Sequence, residues 1–165
     1  MVKVSICVPT YNNALEVERL LQSVHRQNYT DYEVNISDDS TNEETAELIE
    51  WIRTEWSWQD KLHYIHNEKP LGHIYNWNAA IKMAAGEYIK IMFSDDWFTD
   101  SDSLGTFVSM LDEHPKANLA FSGSMQVLLD GQDIEQVKHL NKQVTEHGNA
   151  FARYAEDAFI ERLHR

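Results

Sequence analysis

From Val2 onward the chain alternates short β-branched apolar runs with amphipathic stretches of helical period. Val2–Val8 reads as a buried strand. Asn12 or Asn13 then offers an N-cap, with Glu16 at capping-box distance from Asn13, and Val17, Leu20, Leu21 and Val24 form a core-facing helical stripe. Tyr32–Ser37 is a second strand, followed by a Thr41/Glu44 capping box and a helix with Leu48, Ile49, Ile52 and Trp56 on one side. Leu62–His66 is a third strand. A loop with Pro70 and Gly72 leads to a helix with Ile74, Trp77 and Ile81. Glu87–Phe93 is a fourth strand, Leu104, Phe107, Val108 and Leu111 mark a helix that stops near Pro115, and Leu119–Gln126 is a fifth strand. Strands alternating with helices predict an α/β fold with a mostly parallel sheet covered on both faces. Ligands of such sheets bind beyond the carboxyl ends of the strands.

Three polar clusters fall at those ends: Thr10-Tyr11-Asn12, Asp38-Asp39 and Ser94-Asp95-Asp96. Paired acids after a strand serve ordinarily as turn and N-cap residues. Their functional alternative at Asp38-Asp39 is a hydrogen bond accepted from a nucleobase imide or a sugar hydroxyl. Asp95-Asp96 follow an apolar strand and precede Trp97 and Phe98, a setting that a helix cap plus a salt bridge explains less well. One or two carboxylates with phosphate oxygens and waters make a workable divalent cation site. A diphosphate is itself anionic, so carboxylates beside it make sense only with a metal between them.

Charge narrows the ligand further. With 27 acidic and 14 basic residues the formal net charge is −13. Each nucleic acid phosphate would approach against repulsion, so no nucleic acid partner is expected. A small phosphorylated ligand would need backbone N–H groups or a cation. Cys7 is the single cysteine, which excludes an internal disulfide, points to a reducing compartment and reads as a small buried hydrophobe. No apolar run approaches the roughly 20 residues that span a bilayer. The expected location is therefore the cytoplasm, with any membrane attachment peripheral and through other segments.

Val4-Ser-Ile-Cys-Val-Pro-Thr-Tyr-Asn12 resembles the opening strand of the inverting family 2 glycosyltransferases, which have a GT-A fold. Ile36-Ser-Asp-Asp-Ser-Thr41 resembles their second-strand motif. Asn67–Gly86, with Gly72, Asn78 and the Ala84-Ala-Gly-Glu-Tyr-Ile89 run, resembles their third helix and its exit. Phe93-Ser-Asp-Asp-Trp97 stands where they carry an Asp-x-Asp motif. The four pieces occur in order from about Val2 to Leu111. The resemblance implies a sugar transfer from a nucleoside diphosphate sugar, with uridine favoured, to the hydroxyl of a carbohydrate or lipid-linked acceptor in polysaccharide or cell-envelope biosynthesis. It implies that Pro9 and Tyr11 line the base pocket, Tyr11 by stacking, that Asp39 accepts the base imide N–H, and that Asp38 supports the turn. Asp95 would bind the metal, Mn2+ or Mg2+, and Asp96 would position sugar hydroxyls or the ligand. Lys69 and Asn78 would approach the nucleotide.

Two departures stand out. Phe93 replaces the first Asp of the Asp-x-Asp motif, and the family's downstream catalytic base has no clear counterpart before Arg165. Glu156-Asp157 resembles the family's acidic pair only superficially, so no residue is assigned as base. The expected division is a nucleotide-sugar-binding core over residues 1–126 and a C-terminal extension over 127–165, the start of a truncated acceptor-side region. In that extension Asp130–His147 reads as a loop, and Phe151, Tyr154, Ala155, Ala158 and Phe159 as a final helix. A binding module without turnover is the alternative to an enzyme. A phospho-receiver would carry acids after the first strand, where this chain has Tyr11-Asn12. A nucleotidyltransferase would carry a Gly-rich basic loop there. No Gly-x-Gly-x-x-Gly or phosphate-loop Gly-Lys-Ser/Thr motif occurs. His63 and His66 lack the cysteines of a zinc site, and Trp51, Trp56 and Trp58 read as helix packing with a partly exposed end.

Overall fold

The computed structural model describes residues 2–123, 125–130, 133–138 and 159–162. Strands β1 (Val4–Thr10), β2 (Tyr32–Asp38), β3 (Leu62–His66) and β4 (Tyr88–Ile91) run parallel. Helices α1 (Ala14–His25), α2 (Glu44–Glu55) and α3 (His73–Lys82) connect them, and α4 (Ser103–Glu113) follows. Next come β5 (Leu119–Phe121), a separate hairpin of β6 (Met125–Asp130) and β7 (Asp133–Lys138), and β8 (Phe159–Arg162). The main sheet has the order β3-β2-β1-β4-β8-β5. Only β8 is reversed, pairing antiparallel with β4 and β5.

The sequence pattern explains the layers. Every residue of β1 and β2 is buried, as expected of parallel strands covered on both faces. On one face Val4, Ile6, Val8, Val34 and Ile36 meet α1 through Val17, Leu20, Leu21 and Val24. Ile49 and Ile52 of α2 and Leu104, Phe107, Val108 and Leu111 of α4 complete this cluster. Each such side chain contributes about 1.5–3 kcal/mol on burial. The opposite face holds a smaller cluster of Cys7, Ala80 and Ile89, with Ile81, Ala84 and Ile91 packed on it. Burial pushes the Cys7 thiol up to about 12, so the residue behaves as the inert hydrophobe expected.

The smaller face is also polar. Glu33 is buried there and accepts hydrogen bonds from Ser5 Oγ at 2.6 Å, the Ala85 N–H at 2.7 Å and Asn35 Nδ2 at 3.1 Å. Burial pushes its carboxyl upward, but these donors outweigh burial and hold it below its ordinary value. Gly86 lies against this group. A Cβ there would stand 2.8 Å from the Ser5 nitrogen and 2.9 Å from the Val4 carbonyl carbon.

Several expected elements are corrected. Ile74 and Trp77 do not face the core: they are 67% and 38% exposed, and α3 buries Asn76 and Ala80 instead. A polar, tightly approached sheet face selects small and amide side chains where periodicity suggested large apolar ones. The Asn13 side chain makes no cap hydrogen bond, and α2 starts at Glu44 after Glu43 rather than in a Thr41/Glu44 box. The single strand expected over Leu119–Gln126 is two, β5 and β6, belonging to different sheets. β7 occupies part of the expected Asp130–His147 loop, and Phe159 belongs to a strand rather than a helix. The other residues of that expected helix, and Glu156-Asp157, lie outside the described residues.

Candidate functional site

The strand order reverses at β1, which has β2 on one side and β4 on the other. The backbone shows why the sheet opens at this point. The carbonyls of Lys3, just before β1, and of Cys7 within it accept the N–H groups of Tyr88 and Met92 on the β4 side. Pro9 is the next residue of that alternating series and has no N–H to give. The last β1–β4 pair is Cys7 with Ile91, whereas β1 and β2 remain paired to Thr10 and Asp38. A crevice therefore opens between the carboxyl ends of β1 and β4, the place where such sheets hold ligands.

Side chains fix the rims of this crevice. Asn13 accepts from Thr10 Oγ1 and donates Nδ2 to Ser94 Oγ, joining the β1 loop to the end of β4. Asn12 adopts a positive φ of 51°, tolerable for Asn in the left-handed region. Its N–H donates to Ser40 Oγ at 2.8 Å, and its Oδ1 accepts the Thr41 N–H at 2.9 Å. The loops after β1 and β2 are thereby clamped, and Tyr11 is left at the tip, 55% exposed.

The two acids after β2 divide the work. Asp38 is fully buried and accepts from the Ser40 N–H at 2.8 Å, from Ser40 Oγ and from Tyr64 Oη at 2.8 Å. His66 Nδ1 stands 3.5 Å from its Oδ2. Burial, and then the Asp38 carboxylate, push the Tyr64 phenol upward. Asp38 is thus fully engaged within the turn after β2 and its β3 neighbour. Asp39 is 3% exposed. Its Oδ2 accepts the Leu71 and Gly72 N–H groups at 2.9 and 2.8 Å, and its Oδ1 accepts Asn67 Nδ2 at 2.8 Å. It anchors the entrance of α3, a helix distant in sequence, with its charge at the favourable end of the helix dipole. Gly72 precedes α3 with φ 84°, a conformation that favours glycine. Of about four lone-pair sites on a carboxylate, Asp39 retains one on Oδ1.

Asn67 and Asn76 extend this network. Asn67 Nδ2 also lies 3.1 Å from Ser37 Oγ and 3.4 Å from Asn76 Oδ1, and Asn76 Nδ2 donates to the Thr10 carbonyl at 3.0 Å. At the end of β4 the Asp96 N–H closes a turn on the Phe93 carbonyl at 2.9 Å. Asp95 is exposed and Asp96 half-buried on that turn. Trp77 of α3 packs on Phe93 with ring centroids 4.9 Å apart, and Arg19 lies 5.5 Å from the Trp97 ring centroid.

Pro9, Tyr11, Asp38, Asp39, Asp95 and Asp96 thus gather at one end of the sheet. Lys69 and Asn78 are exposed, on the loop before α3 and on α3 itself. Sequence reasoning missed Asn13 as the link to Ser94, and Asn76 and Trp77 as parts of the α3 wall. An available signal was the polar Asn76 between two apolar neighbours, which a core-facing helix tolerates only when its amide is satisfied. His63 and His66 face separate carboxylates, Glu33 at 3.6 Å and Asp38 at 3.5 Å. Among the described residues no three His, Cys, Asp or Glu side chains cluster as a metal site.

Comparison with known proteins decides the family: the profile of Glycosyl transferase family 2 matches residues 5–150. The chain belongs to that family. A beta-1,3-glucosyltransferase from Campylobacter jejuni acting on GalNAc(5)-diNAcBac-PP-undecaprenol is 25% identical over 149 residues, 87% of this chain and 47% of that protein. The abequosyltransferase RfbV of Salmonella typhimurium is 34% identical over 111 residues, 66% of this chain and 32% of that protein. The chain therefore spans less than half the length of these relatives. The solved structure of Staphylococcus aureus TarS 1-349 in complex with UDP-GlcNAc superposes with a TM-score of 0.62 at 30% identity, covering 71% of this chain and 33% of TarS 1-349. A Pyrobaculum calidifontis mannosyltransferase in complex with GDP-Man and Mn2+ gives a TM-score of 0.64 at 26% identity, covering 72% and 34%. The mostly parallel sheet and its helices are those of GT-A glycosyltransferases.

Proposed function

We propose that this chain is the donor-binding part of a metal-assisted glycosyltransferase that moves a sugar from a pyrimidine nucleoside diphosphate, uridine favoured, to an acceptor hydroxyl. The observation that carries this reading is the crevice between β1 and β4, with Tyr11 and Asp39 toward β2 and Asp95 at the end of β4. Tyr11 is exposed enough to stack on a base. The free site on Asp39 Oδ1 suits an imide N–H, which uracil offers. The related folds bind both uridine and guanosine donors, so this chain's own residues must make the choice of base.

The donor set fits a divalent cation that arrives with the diphosphate rather than a resident ion. Asp95 supplies one exposed hard oxygen ligand, Asp96 stands beside it, and no further acid or imidazole completes a shell among the described residues. Phosphate oxygens and waters would fill the remaining positions. A cation held there would offset charge on the departing diphosphate. Pro9 shapes the base pocket by ending the β1–β4 ladder, and Lys69 and Asn78 flank the nucleotide from the α3 side.

Residues 1–126 form the donor core in this reading, and 127–165 begin the acceptor-side region, with β8 tying that stretch back into the sheet. The acceptor is a carbohydrate or lipid-linked hydroxyl of the cell envelope, by analogy with the undecaprenol-linked and poly(ribitol-phosphate) acceptors named for relatives. Work at the cytoplasmic membrane face suits such an acceptor. Among the described residues no helix is long and apolar enough to cross a membrane.

Titration calorimetry of the chain with uridine diphosphate, with and without Mn2+, tests the reading. Binding that Mn2+ strengthens is expected. Absence of binding under both conditions overturns it.

A further inference from the structure

We infer that Ser23, Gln27 and Asn28, at and just beyond the end of α1, are positioning residues for Asp95: they hold the acidic loop after β4 in place and so set its affinity for a cation. The inference rests on the donor-site reading above, which makes Asp95 the cation ligand, and adds residues that carry no charge and touch no part of the proposed nucleotide.

The contacts between α1 and this loop follow one another in order. Asn13, before the helix, donates to Ser94 Oγ. Arg19 lies 5.5 Å from the Trp97 ring centroid. Ser23 Oγ accepts the Phe98 N–H at 3.0 Å. Gln27 Nε2 donates to the Asp100 carbonyl at 2.7 Å, and the Asn28 N–H donates to the Ser101 carbonyl at 2.8 Å. The loop therefore runs back along the helix. The run from Asn13 to Gln27 rises about 20 Å at helical pitch, and the stretch from Ser94 to Asp100 reaches about that length only when extended. Such a loop has little slack, so its far anchors govern where its near end lies.

Those far anchors are built from neutral polar side chains. Ser23 and Gln27 are buried. Gln27 uses both ends of its amide: Nε2 also lies 3.2 Å from the Ser23 carbonyl, and Oε1 accepts the Leu104 N–H at 2.9 Å. That N–H is in the first turn of α4, where helix donors lack partners of their own. Asp102 precedes α4 but makes no cap hydrogen bond with its side chain; its Oδ1 accepts Asn28 Nδ2 at 2.7 Å instead. One glutamine thus joins the end of α1, the loop and the start of α4. Asp95 and Asp96 lie between the Ser94 and Phe98 anchors. Each residue has only two soft dihedrals, so the short stretch between two fixed points keeps few arrangements. Groups that orient a metal ligand in this way change metal affinity by about 10–100-fold when removed. Tyr11 and Asp39 are held by other contacts, through Asn12 and at the α3 entrance, so the effect is confined to the cation.

The experiment is titration calorimetry of the chain with uridine diphosphate, with and without Mn2+, and with uridine alone, on the wild type, Gln27→Glu and Asn28→Asp. Gln27→Glu keeps the acceptor for Leu104 but turns a carboxylate oxygen toward the Asp100 carbonyl. It should reduce the Mn2+ enhancement of uridine diphosphate binding about tenfold and leave metal-free uridine binding within about twofold of wild type. Asn28→Asp sets a carboxylate against Asp102 on the exposed surface, where folding is little affected, and should act in the same direction. It decides the question if Gln27→Glu does not fold. A folded Gln27→Glu with the full Mn2+ enhancement would overturn the inference, because a bond that only supports the fold lowers the unfolding midpoint without touching cation affinity. An equal loss of uridine binding would overturn it too, since the effect would then be global. If wild-type binding shows no Mn2+ enhancement, the cation part of the donor-site reading fails and the inference falls with it; enhancement that survives in the folded variants sinks the inference alone.

Discussion

Replacing Asp39 by Asn tests whether this carboxylate builds the site as well as serving it. Its three hydrogen bonds, partly buried, come from Leu71 N–H, Gly72 N–H and Asn67 Nδ2, all at 2.8–2.9 Å. Asparagine keeps one oxygen. If that oxygen faces Leu71 and Gly72, two charge-assisted bonds become neutral ones, at a cost of about 1 kcal/mol each. The new amide NH2 then confronts the Asn67 NH2, and two opposed donors in a buried site cost about 1–2 kcal/mol more. The opposite rotamer is worse, since it turns the NH2 toward two backbone N–H groups. The expected loss is about 3–4 kcal/mol, a large share of the stability of about 5–15 kcal/mol typical of such domains. Urea unfolding should show a lower midpoint at unchanged slope, and the Leu71 and Gly72 amides should lose protection against hydrogen exchange. A loss below about 0.5 kcal/mol, with both amides still protected, would refute the view that Asp39 organises the α3 entrance.

Gly86→Ala should destabilise the chain by about 1–3 kcal/mol in the same assay, because its methyl would meet the Ser5 and Val4 backbone rather than a movable side-chain end. The Cys7 thiol, held up at about 12 by burial, should react with a thiol reagent at pH 8 only as fast as the chain opens. Since the folded value lies above the unfolded one of 9.0, the Cys7 contribution to stability is complete below about pH 9 and fades as pH rises toward 12; a Cys7→Ala comparison between pH 7 and 10 isolates it. Asp95→Ala should abolish the Mn2+-dependent part of nucleotide binding and leave the unfolding midpoint within error. Tyr11→Ala should weaken uridine binding about tenfold with or without metal, and an unchanged affinity would show that the base lies elsewhere.

Much of the donor half of the fold was legible because periodicity reports burial, and burial here is unambiguous along β1 and β2 and along the α1 stripe. The gathering of Tyr11, Asp39 and Asp95 at one sheet end followed from strand direction alone. What stayed hidden depends on which face a helix meets. The α3 segment has Ile74, Trp77 and Ile81 at helical spacing, and this pattern predicts an apolar stripe against the sheet. The face it covers carries Ser5, Glu33 and Asn35, so Asn76 and Ala80 go inward and Ile74 stays out. No local pattern within α3 encodes that choice, since it is made by residues of two other strands. The same applies to Asp39, whose partners lie more than thirty residues downstream at Leu71 and Gly72.

This displacement of α3 links the fold to its chemistry. A helix that buried Trp77 would take its ring away from Phe93, and one that exposed Asn76 would leave the Thr10 carbonyl without that donor. By turning its small and amide residues to the sheet, α3 frees Trp77 to reach Phe93, while the Leu71 and Gly72 N–H groups just ahead of the helix go to Asp39. A net charge of −13 makes anion binding unfavourable over most of the surface. Asp39 binds the Leu71 and Gly72 N–H groups just ahead of α3, and its negative charge there opposes a diphosphate at that end of the helix. The charge of the diphosphate must then be met at the other end of the crevice, by a cation on Asp95. The affinity for Mn2+ alone should accordingly be weak, and should rise when the nucleotide is present and fall back with the unphosphorylated nucleoside. Tight Mn2+ binding to the bare chain would instead mean that further ligands surround Asp95, and that the cation is resident.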